Sequence, residues 1–118
     1  MLQSISMNLE IAARQLEALG NPTRLQIYRT LVRAGFGGMS VGQVQESIGL
    51  AASTLSHHLK RLVDQGLVRQ DRSGTTLICH AVYPVMNALI GYLADECCMD
   101  ETGKPRSCAT DAAASLAE

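Results

Sequence analysis

The chain has no tryptophan and a single phenylalanine, and three tyrosines complete its aromatic content. Any core must therefore be built mainly from Leu, Val, Ile, Met and Ala, drawn from the apolar residues that make up 47% of the 118 positions. No stretch is long and apolar enough to span a bilayer, which speaks against a membrane partner. Met1 to Met7 has neither a basic start nor a long apolar run, so no secretory leader is expected. The expected compartment is a bacterial-type cytosol, where the four cysteines are thiols unless something binds or oxidises them. Also missing are a nucleophile–base pairing, a Gly-rich phosphate loop and a clustered carboxylate pair, and an enzyme is not expected. There is no internal repeat. The length suits one domain that gains from dimerisation, with a folded unit over residues 1–98 and a C-terminal segment over 99–118.

Nor is there an excess of positive charge: the net charge is −1. Its placement is uneven. Residues 1–94 carry a balance of +3 and residues 95–118 a balance of −4. The larger part is mildly basic, which fits few phosphate contacts per subunit and moderate salt dependence rather than a non-specific coater of nucleic acid.

What is present is organised around Ala51 to Gly66. At helical spacing, Ala52, Leu55, Leu59 and Leu62 form an apolar stripe, and Ser53, His57, Lys60 and Arg61 lie opposite, with Thr54 and Ser56 at the margins. Hydroxyls, an imidazole and two cations, with no carboxylate until Asp64, suit phosphates and base edges, because all donate hydrogen bonds to such acceptors. A solvated helix face would explain the same residues, so their neighbours decide. Before them, Ser40 to Gly49 reads as a short helix with Val41, Val44 and Ile48 inward, Ser40 as N-cap and Gly49 as stop. After them, Val68, Leu77, Ile78 and Val82 flank a Ser73–Gly74 turn and read as a hairpin. Helix, turn, helix and hairpin make a winged helix-turn-helix, mainly α with a small β wing.

Towards the N-terminus, Ser6 to Leu19 reads as a helix with Leu9, Ala12, Ala13, Leu16 and Leu19 at helical spacing. A second helix is capped by Asn21, starts with Pro22 and ends near Val32 or Arg33, with Leu25, Ile27, Tyr28, Leu31 and Val32 as its core face. Gly35, Gly37 and Gly38 make the next segment a loop, anchored by Phe36. The last helix begins at Tyr83–Pro84. Between Val85 and Leu93 only Asn87 is strongly polar, so apolar side chains point nearly all round and need cover on two sides. The winged core supplies one side, and a second copy in a two-fold homodimer supplies the other.

NPTRLQIYRTL (Asn21 to Leu31), STLSHHLKRLVDQGLV (Ser53 to Val68) and the RSGT wing tip (Arg72 to Thr75) together resemble the ArsR/SmtB family over about Leu16 to Leu93. The resemblance implies a bacterial winged-helix repressor that binds double-stranded operator DNA and leaves it on binding a metal ion, a metalloid or a reactive small molecule. On this reading Ser53, Thr54, Ser56 and His57 read bases or position the helix, and Lys60 and Arg72 contact backbone. His58 diverges from His57 and sits at the boundary of the face.

Cys79 lies among Leu77, Ile78 and Ala81 and reads as a small buried residue. Cys97 and Cys98 close the last helix, and Cys108 follows across nine residues containing Gly103 and Pro105. Side chains at adjacent helical positions point about 100° apart, so Cys97 and Cys98 converge only where the helix unwinds. Three converging thiolates without a nearby His favour a soft three-coordinate centre, whereas structural zinc takes four ligands. Trivalent arsenic or antimony, As(III) or Sb(III), fits such a cage as inducer. The sequence YLADECCMDETGKPRSC also resembles the family branch with adjacent cysteines after the last helix and a third downstream. It lacks cysteines in VGQVQES, where the commonest arsenic sensors of the family carry them, and it lacks the last-helix histidines of the zinc sensors. The alternative is redox or persulfide sensing. A Cys97–Cys98 disulfide is disfavoured, since adjacent Cα atoms lie about 3.8 Å apart and relaxed disulfides want at least about 4.4 Å; a bridge from either to Cys108 is open. Ala109 to Glu118 is small and polar and reads as disordered.

Overall fold

Three helices of this chain are started by a short polar side chain, and those caps fix where the fold begins each turn of direction. The computed structural model describes residues 7–97. They form α1 Leu9–Leu19, α2 Pro22–Ala34, β1 Met39–Ser40, α3 Val41–Ile48, α4 Ala52–Asp64, β2 Val68–Ser73, β3 Thr76–Ala81 and α5 Tyr83–Ala94. Asn8 Oδ1 accepts from the Ile11 N–H at 2.9 Å, so α1 starts three residues later than the Ser6 expected from its apolar spacing. Asn21 Oδ1 accepts from the Arg24 N–H at 3.0 Å and starts α2. At α3 the pairing is reciprocal: Gln43 N–H donates to Ser40 Oγ at 3.1 Å, and Ser40 N–H donates to Gln43 Oε1 at 2.9 Å. Such caps contribute about 1 kcal/mol each. Gly49 ends α3 in the left-handed region at φ 80°, and α4 follows after a tight turn. Helix, turn and helix are as the sequence implied.

The apolar stripe of α4 enters the core. Leu55 and Leu62 are fully buried and Leu59 nearly so, each burial contributing about 1.5–3 kcal/mol. Ala52, the first residue of the helix, stays exposed. Ile27, Leu31, Val44 and Leu67 complete the centre of the core. Cys79 is buried among them, as its apolar neighbours implied, and burial pushes its thiol pKa up. Gln70 Nε2 lies 3.5 Å from its sulfur.

The wing is one strand larger than expected. β2 and β3 pair antiparallel from Val68↔Ala81 to Ser73↔Thr76, which puts the turn at Gly74–Thr75 rather than Ser73–Gly74. β1 adds to the other side of β3, with Met39 opposite Cys79 and Ser40 opposite Ile78. Gly38 permits this approach. Its φ is 70°, and a Cβ there would meet the Cys79 carbonyl oxygen at 2.5 Å, closer than any side chain tolerates. Phe36 is not the expected anchor. It is 88% exposed, in a loop between two positive-φ glycines, with its ring edge-on to Tyr83 at 5.2 Å. Tyr83 does the anchoring instead, its hydroxyl donating to the Val32 carbonyl at 2.9 Å.

Helix α2 departs from its expected core face at one position. Leu25 is 42% exposed, while its neighbour Arg24 is buried. Arg24 Nε donates to the Ala18 carbonyl at the end of α1 at 2.7 Å, and a terminal nitrogen lies 3.3 Å from His58 Nδ1 on α4. An arginine is always a donor, so His58 Nδ1 is the acceptor and the imidazole is neutral. Burial, then the charges of Arg24, His57 and Arg61, hold the His58 pKa below its ordinary 6.5.

A folded pKa below the unfolded value means that the unfolded chain takes up the proton first. The stability that depends on neutral His58 is therefore complete above pH 6.5 and lost as pH falls below it. Circular dichroism melts from about pH 7.5 to about pH 5.5 should show a falling Tm, with a shallower fall in His58→Gln. Equal slopes in both proteins would remove His58 from the account.

Candidate nucleic-acid interface

The polar stripe of α4 is presented outward as a unit because the opposite stripe is fixed in the core. Ser53, Thr54, Ser56, His57 and Lys60 are all exposed, and so is Arg72 on β2. Ser53 and Thr54 stand in the first turn, where Ala51 offers no side-chain cap. The N–H groups of that turn thus add donors, on the positive end of the helix dipole, to those of the side chains. His57 follows one turn on, its ring centre 5.8 Å from that of His58. The two histidines have separate environments, as their divergence on the helix implied.

Between α4 and the wing lies an open cleft of about 880 Å³. Ser56 and Lys60 line it from the helix and Arg72 from the wing, so three of the six expected DNA-facing residues share this one concavity. Ser40, Thr75 and Thr76 line it too. Sequence reasoning read Ser40 as a cap, took Thr75 only as part of the wing tip and gave Thr76 no role, although hydroxyls beside a cation-bearing face were a signal. The cleft's carboxylate, Asp64, holds Lys60 Nζ at 3.2 Å. On the opposite face of the wing, Arg69 pairs with Asp71 at 3.0 Å and His80 Nε2 lies 3.4 Å from the same carboxylate. Arg69 is thereby committed, and Arg72 carries no ion pair among the described residues.

A second surface is apolar. Leu9 and Leu16 of α1 are 74% and 41% exposed, and Ile90 and Leu93 of α5 are 55% and 59% exposed. Leu16, Leu25, Ile90 and Leu93 border an open groove of about 590 Å³ between α1, α2 and α5. The α1 side that turns inward instead carries Ala12, Gln15 and Ala18, with Gln15 Nε2 donating to the Gln65 carbonyl at 3.2 Å. Of the three expected metalloid ligands, Cys97 is half-buried on a turn beyond Ala94, to whose carbonyl its N–H donates at 3.1 Å. Cys98 and Cys108 lie outside the described residues, as does the segment 99–118. Among the described residues no group of three or more His, Cys, Asp and Glu side chains is placed to hold a metal ion, and no helix is long and apolar enough to cross a membrane.

A three-stranded wing beside a helix-turn-helix, with an exposed donor-rich second helix, defines a winged-helix DNA-binding regulator. Residues 19–71 match a helix-turn-helix domain family. The HTH-type transcriptional regulator YgaV of Escherichia coli is 33% identical over 97 residues, 82% of this chain and 96% of that protein. The homodimeric winged helix-turn-helix domain Mb0332 of Mycobacterium bovis, described as a possible ArsR-family regulator, is 30% identical. Its fold superposes with a TM-score of 0.61 over 82% of this chain and 90% of that one. The transcriptional repressor BigR of Xylella fastidiosa is also 30% identical, with a TM-score of 0.57 over 73% and 85% of the two chains. The chain belongs to the ArsR family of winged helix-turn-helix transcriptional regulators and is not an enzyme.

Phosphate contacts and base contacts are separable by salt and by sequence. Fluorescence anisotropy should show Lys60→Ala weakening binding to a duplex selected by the protein and to its scrambled counterpart alike, with a salt slope shallower by about one contact. His57→Ala should erode discrimination between them by roughly 1–3 kcal/mol. Equal losses on both duplexes would take His57 out of base readout.

Proposed function

We propose that this regulator is a repressor that binds an imperfect inverted repeat of operator DNA as a homodimer and releases it when As(III) or Sb(III) is bound by Cys97, Cys98 and Cys108. Ser53, Thr54, Ser56 and His57 meet the bases, and Lys60 and Arg72 meet the backbone. The observation that carries the reading is the course of α5. It runs from the wing, through the exposed Ile90 and Leu93, to a turn bearing Cys97. One helix thereby links the DNA-binding unit, an uncovered apolar face and Cys97.

The apolar face supports self-association. Burying Leu9, Leu16, Ile90 and Leu93 against a second copy removes exposed leucine and isoleucine surface from water. Two-fold pairing sets the recognition helices about 34 Å apart, or a multiple of that, to match successive major grooves. The Mycobacterium bovis relative is homodimeric, and BigR is called a repressor; both properties are carried to this chain as part of the proposal. Glutamate at Ile90 or Leu93 should give a monomer in sedimentation at micromolar concentration and weaken duplex binding. A wild-type monomer that still binds tightly would sink the dimer.

For the inducer, the position of Cys97 supports convergence. It lies on a turn beyond the last residue of α5, where the regular helix no longer sets the direction of its side chain. Thiolates are soft donors suited to a trivalent metalloid. Drawing three of them together at the end of a dimer-forming helix shifts how two rigid recognition helices are spaced. Allosteric coupling is typically about 1–3 kcal/mol per site, and a switch from 1:99 to 99:1 takes about 5.5 kcal/mol, so two sites per dimer approach a full response where one would not.

Release of a bound duplex by arsenite, antimonite, zinc or a persulfide donor decides the inducer. Wild type and Cys79→Ser should release on arsenite or antimonite, and Cys97→Ser, Cys98→Ser and Cys108→Ser should not. A normal metalloid response in Cys108→Ser would refute the three-sulfur site, and a response to persulfide alone would favour thiol-redox sensing.

A further inference from the structure

The cleft between α4 and the wing contains a residue that a surface built to attract a polyanion should exclude. Asp64 lines it together with the cations Lys60 and Arg72, and no other carboxylate does so among the described residues. Its oxygens lie 3.2 and 3.5 Å from Lys60 Nζ. The ion pair has little structural value. Both side chains are at least half exposed, 73% for Lys60 and 50% for Asp64, where such pairs contribute little. Lysine four residues before an acid is the weaker orientation on a helix, and an acid in the last turn opposes the helix dipole. Folding of α4 does not call for Asp64.

We infer that Asp64 is a built-in competitor for the DNA phosphate, holding Lys60 in its place and setting the affinity of the whole interface. It is a positioning residue, acting through Lys60. The inference rests on the reading of the cleft as the phosphate-facing part of a DNA interface. When a duplex enters, a phosphate oxygen replaces the Asp64 carboxylate at Lys60 Nζ, and the carboxylate is left beside a like charge. Every duplex loses the same increment of binding, whatever its sequence, because the exchange involves no base. A repressor whose inducer supplies only limited coupling needs such restraint, since too tight a hold could not be reversed.

The test uses the full-length protein, a duplex it selects from a random-sequence library and a scrambled duplex of equal composition. Asp64→Asn keeps the shape of the side chain and removes its charge. It should tighten binding to both duplexes by about two- to fivefold at moderate salt. In a Lys60→Ala background the same substitution should give no gain. Unchanged or weaker binding by Asp64→Asn, while Lys60→Ala still weakens binding, would overturn the inference and leave the DNA reading standing. An undiminished gain in the Lys60→Ala background would also overturn it, because Asp64 would then repel phosphate without holding Lys60. If wild type binds neither duplex, the DNA reading falls and the inference with it.

Discussion

The buried guanidinium of Arg24 joins three helices at one point. It closes the carboxyl end of α1 through Ala18, stands on α2, and reaches His58 on the recognition helix. A buried arginine is costly unless its donors are satisfied, so its position is tolerable only while α1 and α4 keep their mutual placement. Leucine packing holds α4 against the core, but slippery apolar contacts leave its rotation loosely defined. A directional donor at one position supplies what packing alone does not: a preferred azimuth for the face that carries Ser53, His57 and Lys60.

That same junction lies between the two surfaces that the proposed function uses. α1 contributes Leu9 and Leu16 to the exposed apolar face, and α4 contributes the donors of the cleft. On the proposed dimer, a change in how two copies meet would be felt by α1, and Arg24 is the contact that connects α1 with α4 without crossing a loop. The wing is tied in from the other side, where Tyr83 at the start of α5 bonds the Val32 carbonyl of α2. Directional bonds from Arg24 and Tyr83 thus tie α1, α2, α4 and α5 to one another, as the proposed response through the spacing of rigid halves would require.

Much of this was legible in the sequence because the governing interactions are local. Asn21 and Ser40 announce helix starts three residues ahead of their hydrogen-bond partners. Leu55, Leu59 and Leu62 repeat at a spacing that only a helix brings to one side. Contacts between distant segments were not legible. Nothing near Arg24 in the sequence says that it turns inward while Leu25 turns out; the acceptor on His58 lies 34 positions away. β1 was missed because two residues carry no periodicity, and its partner is on the far side of the helix-turn-helix. Phe36 was misplaced for a related reason: a large apolar residue among glycines looks like an anchor until the path of the loop is known. Of the thiol cluster, Cys97 alone lies within the described residues, and its place after the end of α5 depends on where that helix stops, which spacing defined only to within a turn.

Gly38 carries a consequence out of proportion to its chemistry. The residue has no side chain and stands outside the helix-turn-helix. Yet β1 runs without a break into α3, and β1 lies against β3 only because nothing occupies the space beside the Cys79 carbonyl. Mutational tolerance should therefore be inverted along this stretch: the exposed Phe36 can be replaced at the cost of one ring contact with Tyr83, whereas the featureless position two residues later admits no replacement without pushing the first helix of the motif away from the wing.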